Sequence, residues 1–315
     1  MPERDVAVAA PAAAETVGLV GAADVALTTP SGRARRARLG VTGGLAVGWL
    51  GLVVAAAVLA PVLPIDDPND TVASIARQGP GTDGHVLGGD GLGRDVLSRL
   101  IWGARASLLL SVGAIAIGIL LGGLFGLLAG YYRGRVGTFL VGVFDVLLSF
   151  PQLILALTVV TVFATGEGTS SARRMVVLIL ALGIVSIPVL GRISRATTLT
   201  WGQREFVLAA RAMGQRDRSI MWGEVLPNVL PAMFSIALLG VAVVIVAEGG
   251  LSVLGVGVQL PTPSWGNMIA EGRGDLRDAP HVVMIPTIVI FLTVLALNYL
   301  GDVVRARFDV RESAL

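Results

Sequence analysis

Four polar residues stand inside or at the ends of long apolar stretches of this sequence, where a chemically active side chain would be conspicuous. They are Asp145, Glu248, Asn298 and Asp302. A charged side chain at the centre of a bilayer costs about 2.5–3.5 kcal/mol on insertion scales, so each residue must have a role that offsets this cost. The role is either contact with a transported solute or a hydrogen bond to a neighbouring helix. We favour the hydrogen bond for all four.

The sequence contains no residue pattern for covalent, metal or proton-relay chemistry. It has no cysteine, its two histidines (His85 and His281) lie in predicted outer loops, and no His, Asp and Glu residues have metal-ligand spacing. All 24 basic residues are arginine, so the phosphate-binding loop that ends in Gly-Lys-Ser/Thr is absent. We therefore predict a non-catalytic chain that binds no cofactor or metal.

The composition is that of a polytopic membrane protein. Of the 315 residues 54% are hydrophobic and 15% are charged, whereas soluble domains contain about 25% charged residues. The net charge of +2 is too small to indicate nucleic-acid binding. We therefore expect the membrane lipid, and not nucleic acid, to be the chain's general environment.

Six apolar runs are each long enough to cross about 30 Å of hydrocarbon. They cover residues 39–63, 107–130, 138–164, 175–191, 230–254 and 283–301, with Pro188 making the end of the fourth least certain. The first run is longer than the core of about 7–15 residues in a signal peptide. We therefore predict an all-α integral membrane protein with six transmembrane helices, a flexible N-terminal tail over residues 1–38 and a C-terminal tail over residues 302–315.

The arginines predict the orientation of these spans. A cluster at residues 33–38 precedes the first span, and an even number of spans places both termini on one side. That side holds most of the arginines outside the spans, so the positive-inside rule makes both termini cytoplasmic. Residues 203–228 then lie in the cytoplasm, and residues 64–106 lie outside.

Two outer segments are candidates for contact with another protein. Within residues 64–106, an apolar face with Arg94 and Arg99 opposite and Trp102 nearby predicts an interfacial helix, with its charged side solvated or at the rim of a pore. The loop before the sixth span is stiffened by prolines and carries a tryptophan suited to an interface. Its candidate residues are Pro261, Pro263 and Trp265.

Glycines recur every fourth residue in the second span. They are Gly118, Gly122, Gly126 and Gly130. At this spacing they form one ridge on a helix, which allows the backbone of another helix to approach closely. We predict a packing surface there and assign it no chemistry.

Residues 203–228 form a polar segment that nevertheless has helical periodicity. The apolar residues Phe206, Ala209, Ala210 and Met213 recur at i, i+3, i+4 and i+7, which predicts a short amphipathic helix. Its other side carries Arg204, Glu205 and Arg211. Gly214 stands at a helix C-cap position, and a second short helix is expected over residues 217–224, bounded by Pro227 and Pro231. A helix–glycine–helix unit at the membrane surface is suited to docking into another protein.

This segment resembles the "EAA" loop of ABC-importer permeases. The resemblance is clearest at residues 209–214 (Ala-Ala-Arg-Ala-Met-Gly) and at Leu226-Pro227-Asn228. Further stretches resemble the C-type permease of the dipeptide/oligopeptide and nickel importer family; they are residues 92–105, 130–134, 145–151, 251–268 and 297–302. Leu208 departs from the pattern, because it stands where the glutamate that gives the loop its name is expected.

The resemblance implies an ABC type I importer permease in the plasma membrane. A homologous second permease would complete the pore, and one or two ABC ATPase subunits would hold ATP and Mg. An extracytoplasmic binding protein would deliver short peptides to Trp102, Pro261, Pro263 and Trp265. The ATPase contact would be formed or shaped by Glu205, Phe206, Ala209, Ala210, Arg211, Met213 and Gly214.

The substrate stays open at the level of sequence. Dipeptides, oligopeptides, glutathione-like peptides, nickel, haem and other small solutes all fit the same permease family. A secondary transporter is the alternative from periodicity alone, but it predicts inverted repeats, and the two halves show no convincing repeat. An intramembrane enzyme would need convergent polar groups within the spans, and the isolated acids supply none.

Overall fold

The computed structural model describes residues 40–164 and 170–312, and the side chains of these as far as residue 307. The predicted tail over residues 1–38 and the last three residues of the C-terminal tail lie outside this part. The described residues are almost entirely helical and contain no β-strand beyond two isolated bridges, Thr82–His85 and Gly89–Asp95. The all-α prediction is confirmed.

The described part of the chain contains eleven α-helices. They are α1 Val41–Leu59, α2 Val96–Ile117, α3 Leu124–Tyr131, α4 Arg135–Leu148, α5 Gln152–Ala164, α6 Ser171–Trp201, α7 Glu205–Ala212, α8 Asp217–Ile220, α9 Leu226–Val253, α10 Trp265–Gly272 and α11 His281–Glu312. A π-helical turn joins α2 to α3 (Gly118–Gly123), and another joins α8 to α9 (Met221–Val225). Each of these pairs therefore forms one continuous helix.

Five helices of the described residues are long and apolar enough to cross a membrane. They are α1, α2–α3, α6, α8–α9 and α11. The third predicted span, residues 138–164, is not one helix: α4 and α5 meet at a bend of 83°. Pro151 explains the break, since it offers no backbone N–H and disfavours helical geometry at Phe150. If the bent pair counts as one span, the total is the predicted six.

Three other prolines do not end helices, contrary to the sequence-based boundaries. Pro188 lies inside α6, which continues to Trp201, ten residues beyond the predicted end at 191. Pro227 and Pro231 lie within α9, so the predicted short helix over 217–224 runs on without a break to Val253. Prolines are tolerated in membrane helices because neighbouring groups and local π-helical adjustments satisfy the freed carbonyls.

The interfacial helix predicted near residues 94–105 is not a separate element. Those residues begin the 36-residue helix Val96–Tyr131. At about 1.5 Å per residue this helix is about 54 Å long, so it extends well beyond the hydrocarbon of a bilayer. The side chain of Asp95 starts it by accepting a hydrogen bond from the Ser98 N–H.

The glycine ridge packs α2–α3 against α6, as predicted. A Cβ atom placed on Gly122 would lie 2.4 Å from the Ile187 carbonyl oxygen, and one on Gly126 would lie 2.2 Å from that of Gly191. Only glycine allows this approach. Helix α6 therefore has α2–α3 directly against its backbone and forms the centre of the bundle.

The bundle has two ends, which we name by what they carry. The loop end holds α7, α8 and the C-terminal ends of α3 and α6; there Tyr131 donates a 2.8 Å hydrogen bond to the Asp217 carboxylate. The far end holds residues 60–95, before the N-terminus of α2, and residues 254–280, after the C-terminus of α9.

Candidate functional site

Helix α7 is a short helix with well-defined ends. Glu205 lies in its first turn and Arg211 in its last, where their charges complement the helix dipole. At its C-terminus the Gly214 N–H bonds to the Arg211 carbonyl at 2.9 Å, and the Gln215 N–H bonds to the Ala210 carbonyl at 3.1 Å. This is a Schellman motif, and Gly214 has the positive φ of 77° that it requires. The prediction of a capping glycine is confirmed.

One side of α7 is anchored in the bundle and the other is exposed. Val207 and Ala210 are buried, at 0% and 4% exposure. Of the predicted apolar stripe, only Ala210 faces inward; Phe206, Ala209 and Met213 are exposed. Met213 is the extreme case, with 80% of its surface accessible. Helix α7 thus presents an apolar face outward, which we call the α7 face.

Three residues outside the predicted apolar stripe also lie on the exposed side of α7. Leu208, which replaces the expected glutamate, is 52% exposed. Glu205 and Arg211 are also exposed. The structure therefore places Glu205, Phe206, Ala209, Arg211, Met213 and Gly214 at the surface of the loop end, with only Ala210 of the candidate set buried.

Two aromatic residues hold the loop to the transmembrane helices. The Arg211 guanidinium lies over the ring of Tyr131, 5.4 Å from its centroid, and the Arg204 guanidinium lies over the ring of Trp201 at 5.2 Å. Phe206 also contacts Trp201, with ring centroids 6.2 Å apart. Tyr131 ends α3 and Trp201 ends α6, so these contacts join α7 and the residue before it to both helices. Sequence reasoning had given neither aromatic this role.

Glu248 organises the far end. It is 1% exposed, and its Oε1 atom accepts 2.8 Å hydrogen bonds from the hydroxyls of Ser252 and Ser264. Ser264 caps α10 in a reciprocal pair with Asn267. Glu248 therefore joins α9 to the start of α10, which is a structural hydrogen-bonding arrangement between helices.

The candidate residues for contact with a binding protein are only partly accessible. Trp265 is 1% exposed; its indole N–H donates to the Leu100 carbonyl at 3.0 Å. Pro263 is also buried, so the prediction that these two residues face a partner is wrong. Trp265, the first residue of α10, packs against α2. Burial of its large apolar ring is favourable because its indole N–H keeps a hydrogen-bond partner there. Pro261 is exposed, and Trp102 is half-buried beneath the Arg105 guanidinium.

A buried ion cluster at the far end was missed by the sequence analysis, which expected a solvated or rim-facing surface there. Arg94 bonds to Asp90 through Nε at 2.6 Å, and Arg99, which is 1% exposed, bonds to Glu271 at 2.7 Å. Arg94 also reaches Glu271 at 3.1 Å. Buried charges require such pairing. The cluster fixes the loop before α2 to α10, and only the distance in sequence between Arg99 and Glu271 hid it.

The remaining intramembrane candidates lie apart from one another. Asp145 on α4 forms an ion pair with Arg192 on α6, and both side chains are 52% exposed. Asn298 is half-buried and Asp302 is exposed, both on α11. Among the described side chains, which end at residue 307, no group of three or more His, Asp or Glu could hold a metal ion. The polar candidates therefore do not converge on one site.

Comparison with known proteins identifies the family. Residues 122–313 match the family described as "Binding-protein-dependent transport system inner membrane component". The chain belongs to this family. It is 37% identical over 248 residues to the glutathione transport system permease protein GsiD of Pectobacterium atrosepticum, covering 79% of each chain. It is 36% identical over 275 residues to the di/tripeptide transport system permease protein DppC of Pseudomonas aeruginosa, covering 86% of this chain and 88% of that protein.

Solved structures support the fold of this permease. The chain superposes on the MetNI methionine ABC transporter in an inward-facing conformation with a TM-score of 0.56, at 19% identity. The match covers 66% of this chain and 95% of the other. The family match and the permease relatives show that the protein is a multi-pass permease subunit of an ABC importer and a non-catalytic pore component. Permeases of this kind work with a second permease, ATPase subunits and a substrate-binding protein.

Proposed function

We propose that this permease forms one half of a plasma-membrane pathway for short peptides, with glutathione within that class. Support comes from relatives at 34–38% identity, whose names specify glutathione, dipeptide or di/tripeptide transport. The partner half is a homologous permease. Both termini are cytoplasmic, as the distribution of arginines indicates.

The α7 face is the docking surface for an ABC ATPase subunit. The observation that carries this proposal is the exposure of Phe206 and Met213 on a helix whose opposite side is fixed by buried Val207 and Ala210. Apolar side chains of a short helix, presented outward from a rigid support, fit a hydrophobic cleft in a partner. ATP and Mg belong to that partner and not to this chain.

Movement passes from the docked helix to the pore through Tyr131 and Trp201. These rings lie under Arg211 and Arg204 and end α3 and α6. Helix α6 is packed on the glycine ridge without free space, so α3 and α6 move as one body. Of the four residues predicted to face the binding protein, Pro261 and the half-buried Trp102 keep accessible surface at the far end.

The test is co-purification followed by uptake into proteoliposomes. We expect the tagged chain to bring a second permease and an ATPase, and the complex with its binding protein to take up dipeptides or glutathione in the presence of ATP. Met213→Glu should release the ATPase, whereas Ser219→Glu, an exposed change on the adjacent helix, should retain it.

Two results would contradict the proposal. Isolation of a lone chain or homodimer without ATPase in several mild detergents would remove the docking role of the α7 face. ATP-driven uptake of nickel or haem but not of peptides would leave the permease intact and overturn the substrate class.

A further inference from the structure

A cavity of about 400 Å³ opens at the loop end between α3, α4 and α6. It is lined by two arginines, two uncharged polar side chains, two apolar side chains and two glycines. The residues that matter are Arg133, Arg195, Thr138, Gln203, Ala129 and Leu199. The cavity is separate from the α7 face and from the ion cluster at the far end.

The positive charge of this cavity is not balanced by the protein. Arg77, Arg94, Arg99 and Arg192 have carboxylate partners, whereas neither Arg133 nor Arg195 has one in residues 40–164 and 170–307. The sequence segments that supply the lining, 129–138 and 195–204, contain no Asp or Glu. The Nε of Arg195 is buried and has no hydrogen-bond partner in this part of the structure. Arg195 as a whole is half-buried and Arg133 is exposed, so the protein leaves one buried donor and two positive charges available to an anion.

The position of the cavity indicates which anion is available. Gly134 forms the tight turn between α3 and α4, with φ of 91°, a few residues after the apolar run that ends at 130. The cavity therefore lies where hydrocarbon gives way to headgroups. Basic pockets between transmembrane helices at this depth suit phospholipid headgroups. Ala129 and Leu199 add apolar surface to the lining.

We propose that this cavity binds the phosphate of an anionic phospholipid. The guanidinium groups of Arg133 and Arg195 contact the phosphate oxygens, because the planar donor fork of arginine matches phosphate geometry. The Thr138 hydroxyl and the Gln203 amide supply further donors. A lipid held there bridges α4 to α3 and α6, the two helices that end at Tyr131 and Trp201.

The experiment is native mass spectrometry of the full complex, released from nanodiscs that contain equal amounts of phosphatidylglycerol and phosphatidylcholine. We expect wild type to retain phosphatidylglycerol in preference to phosphatidylcholine. The double variant Arg133→Gln/Arg195→Gln should lose roughly thirtyfold in that preference, since each basic group near a membrane surface contributes roughly fivefold. The control Arg305→Gln/Arg307→Gln removes the same charge from exposed positions at the same end and should keep the preference.

Two further measurements make the outcome decisive. The variant Arg133→Lys/Arg195→Lys keeps both charges and should retain most of the binding, which guards against misfolding of the glutamine variant. Inorganic phosphate at millimolar concentration should not displace the lipid. Equal lipid retention by wild type and the Arg133→Gln/Arg195→Gln variant, or displacement by inorganic phosphate, would overturn the proposal; the second result would assign the cavity to a soluble phosphate.

Discussion

Gly126→Ala tests the packing on which the bundle is built. A Cβ at this position would lie 2.2 Å from the Gly191 carbonyl oxygen and 2.7 Å from the Ser194 Cβ. A carbon–oxygen contact needs about 3.3 Å. Helices α3 and α6 must therefore separate by about 1 Å, because neither a backbone carbonyl oxygen nor a Cβ atom can rotate away from the contact. The 2.7 Å hydrogen bond from the Ser194 hydroxyl to the Gly123 carbonyl crosses the same contact and would lengthen with it.

The expected loss of stability is about 1–3 kcal/mol, the usual cost of overpacking a well-packed interior. Gly123→Ala is the matched control, because its Cβ would meet only the flexible end of Met233 at 3.5 Å, an ordinary contact. That control should stay within about 0.5 kcal/mol of wild type. Thermal denaturation of each purified complex, followed by loss of the monodisperse peak in size-exclusion chromatography, measures the difference. If both variants denature at the same temperature, the close approach of α3 to α6 is refuted.

Three further changes test the loop and the polar residues. Gly214→Ala should reduce solute uptake per ATP hydrolysed, because a non-glycine residue at φ of 77° costs about 1–2 kcal/mol although its side chain meets no neighbour. Gly223→Ala is equally unobstructed but has no positive φ, so it should leave this ratio unchanged. An unchanged ratio in Gly214→Ala would contradict the reasoning. Glu248→Ala should lower the stability of the folded protein by about 1–3 kcal/mol, because it removes the shared acceptor of two hydroxyl hydrogen bonds. Glu248→Gln keeps an accepting oxygen and should lose less stability. Equal losses of stability in the two variants would argue against the hydrogen-bonding role. Asp145→Asn leaves the Arg192 cation without a carboxylate and should lower the yield of assembled complex. The charge-swapped double variant Asp145→Arg/Arg192→Asp re-forms the pair and should give the wild-type yield. A low yield from the double variant would contradict a role for the ion pair itself.

Much of the fold follows from local sequence patterns. Apolar runs locate the membrane-spanning helices because length and hydrophobicity alone decide whether a segment can cross a bilayer. The four-residue glycine spacing predicts the ridge on α2–α3, and Gly214 predicts the end of α7, because both depend on backbone geometry that only glycine permits. These features need no knowledge of distant contacts.

The predictions that failed depend on tertiary context. Pro151 lies at a break in its span while Pro188 lies inside a continuous helix, and the proline alone does not tell these two outcomes apart. The buried position of Trp265 depends on Leu100, which is far away in sequence and whose carbonyl accepts the indole hydrogen bond. The pairing of Arg99 with Glu271 is equally non-local. A periodic stripe also does not reveal which side faces inward, so the outward orientation of Phe206 required the structure.

The most direct test of the central claim is cysteine cross-linking of α7 to the ATPase. The chain contains no cysteine, so a single introduced thiol is unique within it. Ala209→Cys lies on the exposed α7 face, and Val207→Cys lies on the buried side of the same helix. With a short thiol–amine cross-linker, we predict a covalent adduct between the Ala209→Cys permease and the ATPase in membranes, and none from Val207→Cys. An adduct from Val207→Cys but not from Ala209→Cys, or no ATPase adduct from any exposed position of α7 in an actively transporting complex, would contradict the assignment of this helix as the ATPase contact.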